Sequence, residues 1–455
     1  MTNFIPAERL HRLVKHAIDS GAAESLAEAE ALFQGYRLHI EMPAEASADP
    51  VQQASLLTAV ALGRRAFLGG VTVSGSLDKV SAVPLSFGQT LADAIRALGG
   101  QVSDGAAGAP TVVIGGSPIE RREGFCIRTA AAGWRGGILP AHADLVPALG
   151  PVMPLAGMLS AALAINEVYL FLNGGAPAAG RRTVGLSLWR PGPEVDWLAS
   201  DDSEPVLTYL PSRLWLIGLG HLGQAYLWAL ALLPFARPED VALVLQDIDV
   251  ISPSTESTSI LSEANLIGQK KTRAMATWAE TRGFQAAIHE RLFDASFRRQ
   301  AGEPAVALCG LDNSAGRRVL DQVGFDFIVE AGLGRGYRDF RTMRLHVLPG
   351  SRLAAEIWKA TTATESVENR PAYARLLAEG TLDRCGMTLL AGKAVGAPFV
   401  GAVAATLAIA EVLRLLHGGP VHRLLDVDLL SLDQRVASPH PGDFSGLNPG
   451  FVFAG

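Results

Sequence analysis

The chain has 455 residues, 49% hydrophobic and 18% charged, the balance of a globular protein of two to four domains at roughly 100–200 residues each. Its 39 Lys+Arg against 45 Asp+Glu leave a net charge of −6, which gives no electrostatic case for binding nucleic acid or an anionic membrane. Three scattered cysteines, with no CxxC, exclude a disulfide framework and a structural zinc, and the opening MTNFIPAERLHRL lacks the order of a signal peptide, so a cytoplasmic location is expected.

Residues 1–36 read as a small helical segment. An α/β unit is expected over 37–192. It runs through HIEMP, the helix SLLTAVALGRRAF, the strands TVVIGGS (111–117) and FCIRTAAAGWRGG (125–137), an apolar helix from Pro154 and the strand VGLSLW. PGPEVDWLASDDSEP (191–205), rich in acids and proline, reads as a linker. A second unit follows over 206–438, with a crossover stretch at about 350–396 and a tail over 439–455 that reads as an extended strap or disordered segment.

The apolar runs 154–175 and 398–419 are long enough to suggest membrane spans. Each carries polar groups in its middle, Asn166 and Glu167 in one, Glu411 and Arg414 in the other. A charge at mid-bilayer costs about 2.5–3.5 kcal/mol, so buried helices and no membrane partner are expected. The two runs also align with each other without gaps, from Pro154/Pro398 through Gly157/Gly401 and Glu167/Glu411 to closing Gly-Gly pairs. Upstream, TVVIGGS resembles AVALCGLD (305–312), and FCIRTAAAGWRGG resembles FIVEAGLGRGYRD (327–339). The fold class expected is therefore α/β, with two diverged Rossmann-like units in one chain. The shared glutamates read as structural, because they recur in both copies.

Nucleotide chemistry is concentrated in the second copy. RLWLIG reads as a buried strand, followed by GLGHLG and a helix, so Gly218, Gly220 and Gly223 form a strand–GxGxxG–helix fingerprint. The glycines allow a tight turn and a close approach to phosphate at a helix N-terminus. His221, inside that loop, reads as incidental. VALVLQDID is the next strand, with Asp247 and Asp249 placed to meet a ribose. The first copy has EASADPVQQ in place of the loop, which points to a copy without a nucleotide. Lysine is scarce (Lys15, Lys79, Lys270, Lys271, Lys359 and Lys393), which singles out the pair in GQKK. Lys271 ahead of a helix can reach a triphosphate, where a dehydrogenase needs no lysine. LCGLDNSAGRR places Asp312 and Asn313 at a strand end, where a carboxylate can hold Mg²⁺. Arg317 is expected to face the same cleft or to pair with Asp312.

On GLGHLG, QDID, GQKK, LDNSAGRR and the late Pro398 helix, the chain resembles the ubiquitin-activating-enzyme superfamily of ThiF/MoeB-type adenylyltransferases. The resemblance covers most of 206–438 well and 37–192 faintly. The duplication is similar to the arrangement of inactive and active adenylation halves in one chain. The Arg/Ala-rich composition directs the resemblance to activating enzymes of bacterial ubiquitin-like conjugation operons, a group tied to antiviral defence. It implies ATP and Mg²⁺, a ubiquitin-like partner, a ubiquitin-conjugating-type partner, and an internal pseudo-dimer as a monomeric core. Gly218, Gly220 and Gly223 would shape the nucleotide loop, Asp247 would bind the ribose beside Asp249, Lys271 would contact phosphate and Asp312 would position the metal. Asn313 and Arg317 are placed with the nucleotide. Family members adenylate a C-terminal glycine, and many then form a thioester on a cysteine.

One departure stands out. Where the family has Asn, Arg and Gln after its acidic strand end, the chain has Thr255, Thr258 and Ser259. The phosphate-gripping arginine would have to be replaced, with Arg9, Arg12 and Arg335 as candidates. Of the cysteines, Cys126 and Cys309 sit in strand-like runs and read as small core residues. Cys385, in GTLDRCGMT beside Arg384, falls in the crossover region where the family carries its thioester cysteine. Three alternatives remain beside the activating enzyme. One is a sulfur-carrier or small-carboxylate adenylyltransferase without a thioester, another a NAD-dependent oxidoreductase, and the third a non-catalytic scaffold that binds a ubiquitin-like protein.

Overall fold

A computed structural model describes residues 6–85, 87–105, 108–359, 371–378 and 390–455. The first sheet contains β1 (Leu38–Met42), β2 (Val71–Gly75), β3 (Gln101–Val102), β4 (Thr111–Val113), β5 (Cys126–Ala132), β6 (Arg135–Pro140) and β7 (Val184–Ser187). Its spatial order is β3-β2-β1-β4-β5-β6-β7. After β8 (Tyr209–Pro211), the second sheet contains β9 (Arg213–Ile217), β10 (Ala242–Gln246), β11 (Gln285–His289), β12 (Val306–Cys309), β13 (Phe327–Leu333), β14 (Thr342–Leu348), β15 (His422–Asp428) and β16 (Val436–Pro439). Its order is β11-β10-β9-β12-β13-β14-β15-β16. The two orders superpose strand for strand, with one strand added at the end of the second. In each sheet the first five strands in this order are parallel, and the pairing becomes antiparallel between the fifth and the sixth. The duplication read from the sequence is thus a duplication of topology.

Four apolar helices join the sheets: Pro50–Ala66 and Pro154–Leu172 from the first half, His221–Leu232 and Pro398–Leu416 from the second. The two long apolar runs are core helices, each with 89% of its most apolar stretch buried inside the protein. One hydrophobic core runs through both halves without a break. Polar bonds cross the junction as well. Trp228 Nε1 donates to Thr58 Oγ1 at 3.0 Å, and Asn166 Nδ2 donates to the Leu429 carbonyl at 3.2 Å. The halves therefore form an internal pseudo-symmetric pair.

The repeated glycines have a packing cause. A Cβ at Gly157 would lie 2.1 Å from the Val51 carbonyl oxygen of the Pro50 helix. A Cβ at Gly401 would lie 2.3 Å from the His221 ring at the start of the His221 helix. In each half one glycine lets the late helix touch the helix that follows the first strand. His221 is therefore a docking residue rather than an incidental one. The repeated glutamates are structural too. Glu167 accepts from Gly180 N and Arg182 Nε at 2.9 Å each, and Glu411 accepts from His422 N at 3.1 Å and pairs with Arg414.

One sequence expectation needs correction, and one open between two readings is resolved. The stretch 191–205 is not a free linker. Trp197 is 7% exposed and lies where a Cβ on Gly137 or Gly185 would stand, while Glu204 pairs with buried Arg135 at 2.9 Å. An aromatic and a buried ion pair hidden among acids and prolines defeat a composition-based reading. The tail is an ordered strap: β17 (Phe451–Phe453) pairs antiparallel with β8, and the Gly455 N–H donates to Pro234 O at 2.7 Å.

Gly157→Ala should lower stability by about 1–3 kcal/mol, because the added methyl must force two buried helices apart. Chemical denaturation would show this as a lower midpoint, and an unchanged midpoint would contradict the close approach.

Candidate functional site

β9 lies between β10 and β12, at the point where strand order reverses, and its C-terminal end feeds the glycine loop. Ligands of open α/β sheets sit at such points. Gly218 has φ +83°, a left-handed conformation that favours glycine. A Cβ at Gly223 would lie 2.0 Å from the Gly218 carbonyl oxygen, so the helix folds back tightly onto the turn. A Cβ on Gly220 would meet nothing within 4 Å. Gly220 is also the N-cap of the His221 helix and brings no side chain to its N–H groups. In the first half, the matching helix is capped by Asp49, whose carboxylate accepts from Val51 N at 2.7 Å. One copy thus fills its helix N-terminus with its own anion and the other leaves it open.

A cavity of about 920 Å³ opens over this loop. Gly218, Gly220, Asp247, Asp249, Lys271, Asp312, Asn313 and Arg317 all line it, so the structure brings the sequence-predicted residues of the described chain together. Gly223 lies behind the lining, shaping the loop through its contact with Gly218. Cys385 lies outside the described residues.

Their individual partners refine the expectations. Asp247 Oδ2 accepts from Leu219 N at 2.7 Å and Oδ1 from Asp249 N at 2.8 Å, so this carboxylate also holds the glycine loop in shape. Lys271 Nζ lies 2.9 Å from Asp249 and 3.6 Å from Asp247. Its ammonium is held on the cleft lining by two acids. Lys270, the N-cap of the Lys271–Glu280 helix, donates instead to Ile248 O. Arg317 does not pair with Asp312. Its guanidinium lies 3.0 Å from Glu330 and donates to the Leu311 carbonyl at 2.8 Å. Glu330 is fully buried and also meets His346 Nδ1 at 3.2 Å. The triad fixes the strand end that carries Asp312. Asn313 Oδ1 caps the next short helix through Gly316 N at 2.7 Å. That cap leaves Asp312 exposed, with no hydrogen-bond or ion-pair partner among the described residues.

The cysteines in strands have high pKa values. Burial pushes the Cys309 thiol up to about 12, and burial also raises Cys126. Cys126, at the start of β5, is only partly buried and so is less of a core residue than its apolar surroundings suggest.

The region of the Thr255/Thr258/Ser259 departure is remodelled by the N-terminal segment. Arg12 N donates to Ser257 Oγ at 3.1 Å, and Arg12 Nη1 donates to the Ala394 carbonyl at 2.9 Å. Arg12 Nε is buried and unpartnered among the described residues. Burial disfavours the Arg12 cation, nearby Asp312 favours it and Arg335 opposes it. Arg12 and Arg335 both line the cavity, whereas exposed Arg9 is not part of its lining. Sequence reasoning assigned no role to Trp358 or Lys393, which also line the cavity. Only the scarcity of lysine drew attention to Lys393.

The donor set suits a nucleoside triphosphate: an open helix N-terminus with Lys271, Lys393, Arg12 and Arg335 on one cavity, and Asp247 and Asp249 beside Lys271. No group of three or more His, Cys, Asp or Glu that could cage a metal exists among the described residues. Asp312 as a single free carboxylate fits Mg²⁺, which favours one or two carboxylates plus phosphate and water oxygens.

The two acids of this region should behave oppositely. Glu330→Ala should cost about 3 kcal/mol by stranding Arg317 without its carboxylate. Asp312→Asn should stay within about 0.5 kcal/mol of the parent, as an exposed change away from structural features does. Denaturation midpoints check both, and a large loss at Asp312 would make it a structural acid.

Residues 37–188 match the family model described as the BilD N-terminal domain, and 210–419 match the BilD C-terminal domain. A bacterial E1-like protein BilD from Collimonas sp. (strain OK412) is 46% identical over 413 residues, which is 90% of this chain and 89% of that protein. A crystal structure of E. coli MccB and one of E. coli MccB with ATP each share 12% identity with the chain, at TM-scores of 0.36 and 0.34. Each match covers 51% of this chain, which spans 64% and 65% of the length of those MccB chains. By the Collimonas relative and the two domain matches, the chain belongs to the BilD family of bacterial E1-like proteins.

Proposed function

We propose that the chain is an ATP-dependent activating enzyme for a ubiquitin-like protein, acting in the cytoplasm. The observation that carries this reading is the cleft itself. An uncapped helix N-terminus, Lys271, Arg12 and a free Asp312 converge on one cavity at the sheet's switch point. ATP would lie with its phosphates over Gly218–Gly223 and its ribose toward Asp247. Mg²⁺, held by Asp312, would neutralise phosphate charge. A carboxylate oxygen at the carrier's C-terminus attacks the α-phosphorus, the bond to the bridging oxygen breaks, and pyrophosphate leaves. Lys271 and Arg12 stabilise charge that builds on the phosphates in a partly enclosed site. Arg317, Glu330 and His346 act at one remove, holding the strand end that presents Asp312.

The acyl-adenylate would then meet Cys385. Its thiolate attacks the acyl carbon, AMP leaves, and the thioester passes to a ubiquitin-conjugating-type enzyme. Release of the adenylate without a thioester is the reading proposed for a sulfur-carrier or small-carboxylate adenylyltransferase.

Asp312→Ala and Lys271→Ala should each slow carrier-dependent ATP–pyrophosphate exchange by at least about 100-fold, the scale of losing one preorganised charge contact. Exchange at the parental rate in both variants would remove the cleft from the chemistry.

Cys385→Ser should retain pyrophosphate exchange and lose the conjugate with the carrier that a thiol reductant cleaves. Cys126→Ser and Cys309→Ser should keep that conjugate. A reductant-cleavable conjugate that persists in Cys385→Ser would sink the thioester assignment.

A further inference from the structure

Thr258, where the family resemblance implies an arginine, is a small residue and leaves space beside it. The segment Gly392–Ala397, which leads into the Pro398 helix, occupies that space. A Cβ on Gly396 would lie 3.0 Å from Thr258 Cγ2 and 3.3 Å from Arg12 Cβ. A long side chain at position 258 would compete for the same volume. The segment is tied down on both sides. The Gly396 N–H donates to the Arg12 carbonyl at 3.3 Å, the Val395 N–H donates to the Arg335 carbonyl at 3.0 Å, and Arg12 Nη1 donates to the Ala394 carbonyl.

The outcome of this clasp is the placement of Lys393. Its side chain is partly buried and lines the same cavity as Gly218, Lys271 and Asp312. Among the described residues its ammonium has no hydrogen-bond or ion-pair partner. It is within electrostatic range of Arg12, Asp312 and Asp249. Burial and Arg12 lower its pKa, while Glu8, Asp312 and Asp249 oppose that shift. Burial takes water from this ammonium without giving it a partner of its own, and an anion entering the cleft would supply one through a charge-assisted hydrogen bond.

We propose that Lys393 is a phosphate-contacting residue of this cleft, delivered by the Gly392–Ala397 segment in place of the cation absent at Thr258. The anion it takes is the pyrophosphate portion of a nucleoside triphosphate. This rests on the reading of the cleft as an ATP site, and extends it to a residue and a segment that the glycine-loop motif set does not include.

The test is calorimetric binding of ATP, AMP and inorganic pyrophosphate, each with Mg²⁺, to the full chain and to Lys393→Ala and Lys393→Arg. The proposal expects Lys393→Ala to weaken ATP and pyrophosphate at least about tenfold, the scale of one charge-assisted contact, while AMP changes less than about twofold. Lys393→Arg should recover most of the loss, which a folding defect would not allow. Equal ATP affinity in the parent and Lys393→Ala overturns the assignment and leaves the ATP site standing. An equal loss for AMP and ATP, unrecovered by arginine, also overturns it. A parent chain that binds neither ATP nor pyrophosphate overturns the reading of the cleft and this inference together.

Discussion

The contact on which the rest of the molecule depends is the packing of the Pro154 and Pro398 helices between the two sheets. Each brings a glycine against the helix that follows its half's first strand, and the helices share one core across the junction. Apolar burial of this kind is the dominant favourable term in folding. Here it has a second consequence. It fixes the His221 helix, and with it the turn at Gly218, against a surface that extends into the other half. Gln224 of that helix donates to the Leu219 carbonyl at 3.1 Å and to Ser262 Oγ at 2.9 Å. Arg65, from the first half, donates to the Ser262 carbonyl at 2.7 Å. The copy without a glycine loop thus helps hold the loop of the copy that has one.

The asymmetry between the halves comes from a few residues. Asp49 supplies an internal anion to one helix N-terminus, and Gly220 leaves the other bare. The N-terminal segment then crosses to the second half and contributes Arg12. The cleft is therefore assembled from the glycine loop, the N-terminal segment and the stretch before the Pro398 helix, held in register by a core that belongs to both copies.

Much of this was legible in the sequence because it is local. A strand, GxGxxG and a helix read in order, and a gap-free match between two apolar runs reveals duplication. Asp247, Lys271 and Asp312 follow strand ends or precede helices, where topology alone brings them together. What was not legible depends on long-range packing. Arg317 could be placed near the cleft, but its partner Glu330 comes from a neighbouring strand. The stretch around Trp197 reads as a linker because its acids and prolines outnumber its one buried ring. Lys393 sits in a glycine-rich stretch with no periodicity, and only the tertiary clasp with Arg12 and Arg335 gives it a place. The resemblance implies an arginine at position 258, but the packing of Gly396 against Thr258 could be seen only in three dimensions.

One nucleotide site in a doubled fold is the central claim, and binding stoichiometry tests it most directly. Titration of the full chain with ATP and Mg²⁺ should saturate at one nucleotide per chain. A Gly220→Asp variant, which places a carboxylate where Asp49 sits in the other half, should abolish that binding. Two sites per chain, or one site unaffected by Gly220→Asp, would contradict the division of labour between the halves.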